Sequence, residues 1–431
     1  MLDNRLSFFA LAAVAAVSAS AEMMDRPVGI RIGQRMTLKP YLSLSASYNS
    51  NVAGNADGSE DVTWTVNPGL TLEYLGEQLK LTGNVWYQYN AYSKTSNSSY
   101  YDYHGYGEEL TGHWTDSLPG EKGWSLMLSE RYLCVNQASE YTDSEGRDYS
   151  SDHNQFKFAG ALQRRFSNHL HADVNANYYW LDYVDGGNQR SNYGLYGWDR
   201  WGVGGEVGYA FTPWTDLLIA GSYQDYSTQN RKGRAYEGQG VGYGQSSGSK
   251  GMTAQVGLGS YATRRITYRV LGGWTSYQYD EGGDDSSGFS YTVGANWIIS
   301  ETWKTMLLAT SYYQPTEREF GSSQRVDSLS WGITHAMVQG KLNGMFDVAY
   351  RREGREYSAV DSYDYDLDSI SFRLGLTYIL NRYLQFYTNF EYRKSYCEDS
   401  RSVRGSYYDY DRFRGTLGVR FTYWRRAPCR S

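Results

Sequence analysis

The run Asp411 to Trp424 (DRFRGTLGVRFTYW) carries Arg412, Arg414 and Arg420 at spacings of two and six. In an extended chain these share one side with Thr416, Gly418 and Thr422, while Phe413, Gly415, Leu417, Val419, Phe421 and Tyr423 share the other. Cations on a wet face backed by a greasy one can hold or steer anions. Bond-breaking chemistry needs more. His169, His171 and Asp173 also alternate, so all three should face one way. Same-face neighbours lie about 7 Å apart, wide for sharing one metal without a further strand. They read as polar lining, and no metal is expected. The six histidines (His104, His113, His153, His169, His171 and His335) form no pattern with serine and acid that would mark a nucleophile and its base. No catalytic residue is assigned and no enzyme activity is expected. No cofactor is implied either: Gly202, Gly204 and Gly205 sit in a strand-like run with no helix after it, and read as small wall positions.

The elements that would position such residues repeat along the whole chain. Alternating runs are predicted at 38–49, 62–74, 79–92, 103–115, 123–135, 153–166, 169–182, 198–211, 215–227, 250–263, 265–279, 288–300, 303–315, 325–339, 342–353, 367–380, 383–395 and 411–424. Tight turns and long polar loops, such as 136–152 and 228–249, connect them by turns. At 169–182 the apolar set is Leu170, Ala172, Val174, Ala176, Tyr178 and Trp180, opposed by His169, His171, Asp173, Asn175 and Asn177. Strands 103–115 and 303–315 do not declare their faces. About ten or more residues per strand, apolar on one side only, suit strands that cross a bilayer around a wet interior. The fold class is therefore all-β, a transmembrane antiparallel up-and-down barrel of about 18 strands (16 to 18), with short periplasmic turns and longer outer loops. An even count puts both termini on the periplasmic side.

Composition agrees. Mean hydropathy is −0.63, with 43 tyrosines, 47 glycines and only 7 prolines. Only every second strand residue would meet lipid, and the aromatics suit two interface girdles. Arg5, the apolar run Leu6 to Val17 and Ala19-Ser20-Ala21 read as a secretory signal cleaved after residue 21. Residues 22–37 then form a polar periplasmic lead, 38–424 the barrel and 425–431 a tail. The net charge of −6 argues against a nucleic-acid partner. Cys134, Cys397 and Cys429 are odd in number and widely separated, which disfavours a structural disulfide.

On these faces the inward bases are Lys39, Lys80, Lys157, Arg165, Arg200, Arg269, Arg373, Arg393, Arg412, Arg414 and Arg420, and the inward acids Glu73, Asp173, Glu206, Asp347 and Glu391. The outer loops lean acidic, with Glu140, Asp143, Glu145, Asp148, Asp284, Asp285, Asp361, Asp364 and Asp366. A basic bore under an acidic rim would favour anions. The plainer reading is that lumen arginines pair with lumen acids and tyrosines and stiffen the wall. Tyrosines at the loop ends (Tyr92, Tyr100, Tyr101, Tyr103, Tyr407, Tyr408 and Tyr410) read as girdle and loop packing, with glycan stacking as the rival.

The opening strand Leu38 to Val52 (LKPYLSLSASYNSNV), a Pro-led serine-rich run ending in an Asn-rich corner, resembles the start of the β-barrel porin 2-like outer-membrane families of diderm bacteria. The resemblance is specific over about fifteen residues and generic elsewhere. It implies an outer-membrane channel or barrel, some members having exopolysaccharide-related contexts. One departure is that many outer-membrane barrels end on an aromatic, whereas Trp424 is followed by RRAPCRS. The expected function is passive diffusion of small hydrophilic, anionic, sugar-like solutes. The rival is a non-conducting barrel acting as an adhesin or as part of an exopolysaccharide, protein-export or pilus system. Expected partners are outer-membrane lipid, the barrel-insertion machinery and the solutes, with a homo-oligomer or envelope complex left open.

Overall fold

The computed structural model describes residues 29–51, 60–93, 103–117, 122–142, 148–183, 198–228, 248–260, 265–279, 285–315, 323–338, 341–355, 365–397 and 410–423. The expected signal segment 1–21 and the tail lie outside them, as do the loop acids Asp143, Glu145, Asp284, Asp361 and Asp364 and the tyrosines Tyr100, Tyr101, Tyr407 and Tyr408.

Every element but one short strand belongs to a single ring. The first half runs β1 (Ile30–Ile32), β2 (Met36–Asn49), β3 (Asp61–Leu75), β4 (Leu79–Tyr92), β5 (Tyr103–Thr115), β6 (Gly123–Thr142), β7 (Asp148–Arg165), β8 (Leu170–Tyr183), β9 (Trp198–Thr212) and β10 (Thr215–Thr228). The second runs β11 (Ser249–Ser260), β12 (Ile266–Tyr279), β13 (Ser286–Ile298), β14 (Trp303–Pro315), β15 (Ser323–Met337), β16 (Leu342–Arg355), β17 (Tyr365–Asn381), β18 (Leu384–Cys397) and β19 (Tyr410–Thr422). Each strand from β2 onward pairs antiparallel with the next. β19 then pairs with β2, from Arg414 opposite Asn49 to Thr422 opposite Tyr41. The barrel thus closes on 18 strands.

Side-chain acceptors fix several of the tight turns. Ser167 Oγ accepts from the N–H groups of His169 and Leu170 at 3.2 and 3.0 Å. Ser300 Oγ does the same for Thr302 and Trp303 at 3.3 and 3.1 Å, and Asn381 Oδ1 for Tyr383 and Leu384 at 2.8 and 3.1 Å. Short polar side chains bonding their own backbone two or three residues on are what makes such residues turn formers. All these turns lie on one rim, where β2 begins and β19 ends. The long connections lie on the other.

Three expectations change. The 136–152 segment is not all loop: β6 and β7 keep pairing into it, Asn136 opposite Asp152 to Ala138 opposite Ser150, and Thr142 meets Asp148 past an irregularity. The polar lead contains β1, which pairs Ile30 with Leu38 and Ile32 with Met36. It covers the part of β2 that β19, ending at Thr422, does not reach. The 325–339 strand ends at Met337, with Val338 in a left-handed conformation at φ 44°; of the 250–263 strand the described part reaches Ser260.

Most large apolar residues face out. Ile219 is 61% exposed, Leu417 65% and Val256 56%, values that would be costly around a water-soluble sheet. The inner wall instead carries polar side chains and aromatics laid against cross-strand glycines: Tyr41 over Gly69, Trp86 over Gly107, and Tyr387 over Gly418. Tyr387 also shares a hydrogen bond with Ser43 on β2 at 3.0 Å. From β9 to β14 the wall bends sharply, and inward side chains reach past a neighbouring strand. Gln255 on β11 donates to Ser290 on β13 at 3.2 Å, and Tyr277 on β12 to Gln224 on β10 at 3.2 Å. Small inward residues (Gly257, Gly259, Ser290 and Gly294) leave room for that bend.

Gly418→Leu places a branched side chain where the Tyr387 ring lies, so the ring must leave the wall and its Ser43 bond. The expected cost is about 1–3 kcal/mol, read as a lower urea midpoint of the barrel refolded in lipid vesicles.

Candidate solute-contacting residues on the inner wall

Directly paired residues share a face, so the register assigns every strand position once one strand is placed. Leu42 and Leu44 face out, so Lys39 and Ser43 face in. The ladders carry that parity round the ring. All sixteen charged residues named from the sequence fall on the inner face. The register adds Asp61, Glu109, Arg131, Asp216, Lys304, Arg351 and Glu353. Parity from Trp124, Leu126 and Leu128 could have found Arg131, but Met127 and Leu133 on its own face blur the alternation.

His169 is a correction. It sits in the exposed turn before β8, with Nδ1 3.0 Å from the Ala210 carbonyl oxygen and its ring 6.3 Å from that of Tyr209. His171 and Asp173 do face in, so the three never form one set. Among the described residues no group of three His, Cys, Asp or Glu could hold a metal. Arg165 faces in but turns to its own turn, donating to the Ser167 and Asn168 carbonyls at 3.4 and 3.3 Å. Cys134 is a free thiol on the outer face of β6, and nothing is described of the Cys397 side chain or of Cys429.

The ambiguous strand 103–115 is now explained. Its inner face carries Gly105, Gly107, Glu109, Thr111 and His113; its outer face carries Tyr106, Leu110 and Trp114, but also Glu108. A charge outside and glycines inside erase the alternation. Strand 303–315 turns Lys304, Met306, Leu308 and Thr310 inward and Leu307 and Ala309 outward, so it is apolar on both faces.

The inward bases fall into two kinds by what holds them. Some are tied to carboxylates. Lys39 Nζ lies 2.5 Å from Glu73, Arg351 Nε 2.7 Å from Glu353, and Arg269 on β12 bridges to buried Glu206 on β9. Others rest on rings: Arg420 lies 3.9 Å over Tyr41, Lys157 4.8 Å over Tyr179 and Arg131 5.9 Å over Trp86. A carboxylate cancels a charge; a ring holds a cation in place and leaves its charge standing.

The densest group lies on β17 to β19. Arg373 faces Glu391, Glu391 faces Arg414, and Arg393 faces Arg412. Glu391 is the sole acid among them and stands 3.9 Å from Arg373 and 3.7 Å from Arg412. Among the described residues no carboxylate pairs with Arg393 or Arg414. Asp347 on β16 faces Arg373 from the other side, so four guanidiniums beside two carboxylates leave a local excess of two positive charges. Like charges directly opposite on neighbouring strands cost stability, so Arg393 and Arg412 are held against their own repulsion.

This geometry defines a closed antiparallel β-barrel of the outer-membrane type, apolar outside and charged within. No family model matches the chain, and no curated protein matches it. Solved structures do. The FrpB iron transporter from Neisseria meningitidis (F3-3 variant) superposes with a TM-score of 0.51 at 8% identity, over 89% of this chain and 81% of that one. The siderophore receptor PirA from Pseudomonas aeruginosa gives 0.42 at 8% identity, over 91% and 81%. At these identities the likeness is one of fold.

Glu391→Gln removes the acid that lies between Arg373 and Arg414. The barrel should lose about 1 kcal/mol, seen as an earlier unfolding midpoint that recovers with added salt as repulsion is screened. An unchanged midpoint would mean that the arginines do not repel one another.

Proposed function

We propose that the protein is a passive channel of the bacterial outer membrane for small hydrophilic solutes, leaning toward anions. The observation that carries this reading is the arginine group of β17 to β19, whose four charges Glu391 and the neighbouring Asp347 do not balance. Inside a wall of low dielectric, uncancelled fixed cations raise the local concentration of anions and oppose cations. Rigid positioning serves the same end: Arg420 on Tyr41 and Arg412 on Glu391 are held against the wall. The rim of tight turns, with both barrel ends on it, is the periplasmic one in this reading, and the long connections are external. The resemblance of Leu38 to Val52 to the porin 2-like families supports the same class.

One observation favours the rival, non-conducting barrel. Inward side chains from β10 to β15 are covered, with Leu218, Ser290 and Val326 at 0% exposure and Leu308 at 3%. On the channel reading that sector is closed, and solute moves along the β16–β19 and β2–β8 wall.

Proteoliposome swelling separates the two. The wild-type barrel should admit gluconate faster than an organic cation of equal size. Arg414→Glu with Arg420→Glu should reverse that order, because it changes the inner charge by four units without touching the outer face. No swelling with either solute supports the rival.

A further inference from the structure

We infer that the outer face of β6 and β7 at the turn rim binds the headgroup phosphate of an anionic phospholipid, with Arg164 as its ligand. The site is on the face turned to lipid, so it is independent of whether the interior conducts. Arg164 is next to last in β7. It lies directly opposite Trp124 on β6 and Ala172 on β8, on the side where Leu162 and Val174 stand exposed. Among the described residues it is the one Arg or Lys that strands β5 to β9 turn outward; Arg131, Lys157, Arg165 and Arg200 all face in. A lipid-facing arginine is costly at the middle of a bilayer and nearly without cost at its interfaces. The outward aromatics around it, Trp114, Trp124, Phe166 and Tyr209, form the belt that marks such an interface.

The two arginines that end β7 are satisfied in different ways. Arg165, inside, gives N–H groups to the carbonyls of Ser167 and Asn168. Arg164, outside, gives none of its N–H groups to a described residue, and no described carboxylate pairs with it. Its guanidinium lies instead 4.4 Å over the Trp124 ring and 4.7 Å over that of Phe166. The backbone seats both rings. Trp124 N–H donates to Asp116 Oδ1 at 2.6 Å, and Phe166 N–H donates to the Leu170 carbonyl at 2.9 Å. The first of these bonds also engages Asp116, an acid of the same rim. A ring takes a guanidinium by its face and leaves both its charge and its in-plane N–H donors uncancelled. Those donors form the planar fork that matches two oxygens of a phosphate. At a bilayer interface the anion within reach of such a fork is the lipid phosphate. A zwitterionic headgroup brings its own cation to the same place, so an anionic headgroup is the better partner.

Native mass spectrometry of the full barrel, refolded in a neutral detergent, tests this with phosphatidylglycerol, phosphatidylcholine and inorganic phosphate as probes. One phosphatidylglycerol should bind saturably and about tenfold more tightly than phosphatidylcholine, the worth of one bidentate contact. Arg164→Gln should abolish that preference, Arg164→Lys should keep part of it, and Trp124→Leu should weaken it with the charge still present. Arg325→Gln removes a cation from the same face at the other rim and should leave the preference unchanged. Each variant is compared as its folded species, separated from the unfolded one by gel mobility without heating. Equal binding of the two lipids by the wild type, or an unaltered preference in folded Arg164→Gln, overturns the site. An equal loss in Arg325→Gln shows a general charge effect and overturns it too. So does displacement of the lipid by inorganic phosphate at equal concentration, which assigns a free-anion site instead. Because no current or swelling is read, a silent barrel that keeps the preference counts against the channel and not against this site.

Discussion

The constraint on which everything else depends is that a strand in hydrocarbon has no water to bond its backbone. Each N–H and C=O must find a partner in the sheet, and an open edge has none. Closure through β19 and β2 satisfies this, and β1 covers the short stretch of β2 that the closing strand leaves bare. Once the ring is closed, alternation does the rest. One side chain in two meets lipid and is mostly Leu, Val, Ile or aromatic, and the other meets the interior. Cations enter a membrane protein here at little cost, because the barrel gives them a wet side.

What the interior does with those cations is the functional question. A wall made only of paired charges would be rigid and nearly neutral. This one mixes two solutions. Lys39 and Arg269 are tied to Glu73 and Glu206 as struts between strands, and Arg351 is tied to Glu353 on its own strand. Arg420 and Arg131 are steadied by Tyr41 and Trp86, rings that lie over Gly69 and Gly107, and Lys157 lies over Tyr179. The pairing of a large inward aromatic with a cross-strand glycine therefore ties local packing to electrostatics: the glycine seats the ring, and the ring seats the cation.

Much of this was legible in the chain because period-two alternation survives in most strands. Leu170 to Trp180 against His171 to Asn177 is unambiguous, and the positions of the sixteen charged residues follow from it. The failures are physical. His169 follows the same parity on paper, but the serine turn at Ser167 captures its backbone before the strand begins. Strand 103–115 hides its faces because Glu108 points outward while Gly105 and Gly107 point inward. The continued β6–β7 ladder is written in polar residues, which pair through the backbone as well as apolar ones do and so leave no hydrophobic signal. Nothing in one strand reveals that Arg131 faces Lys157, because register joins residues far apart in sequence.

The central claim is that the interior conducts and that its uncancelled bases choose the ion. The most direct test is the single-channel current of the refolded barrel in a planar bilayer under a tenfold salt gradient. The account predicts a stable conductance with a reversal potential displaced toward that of the anion. A stable conductance displaced toward the cation, or a correctly inserted barrel that passes no current, would contradict it.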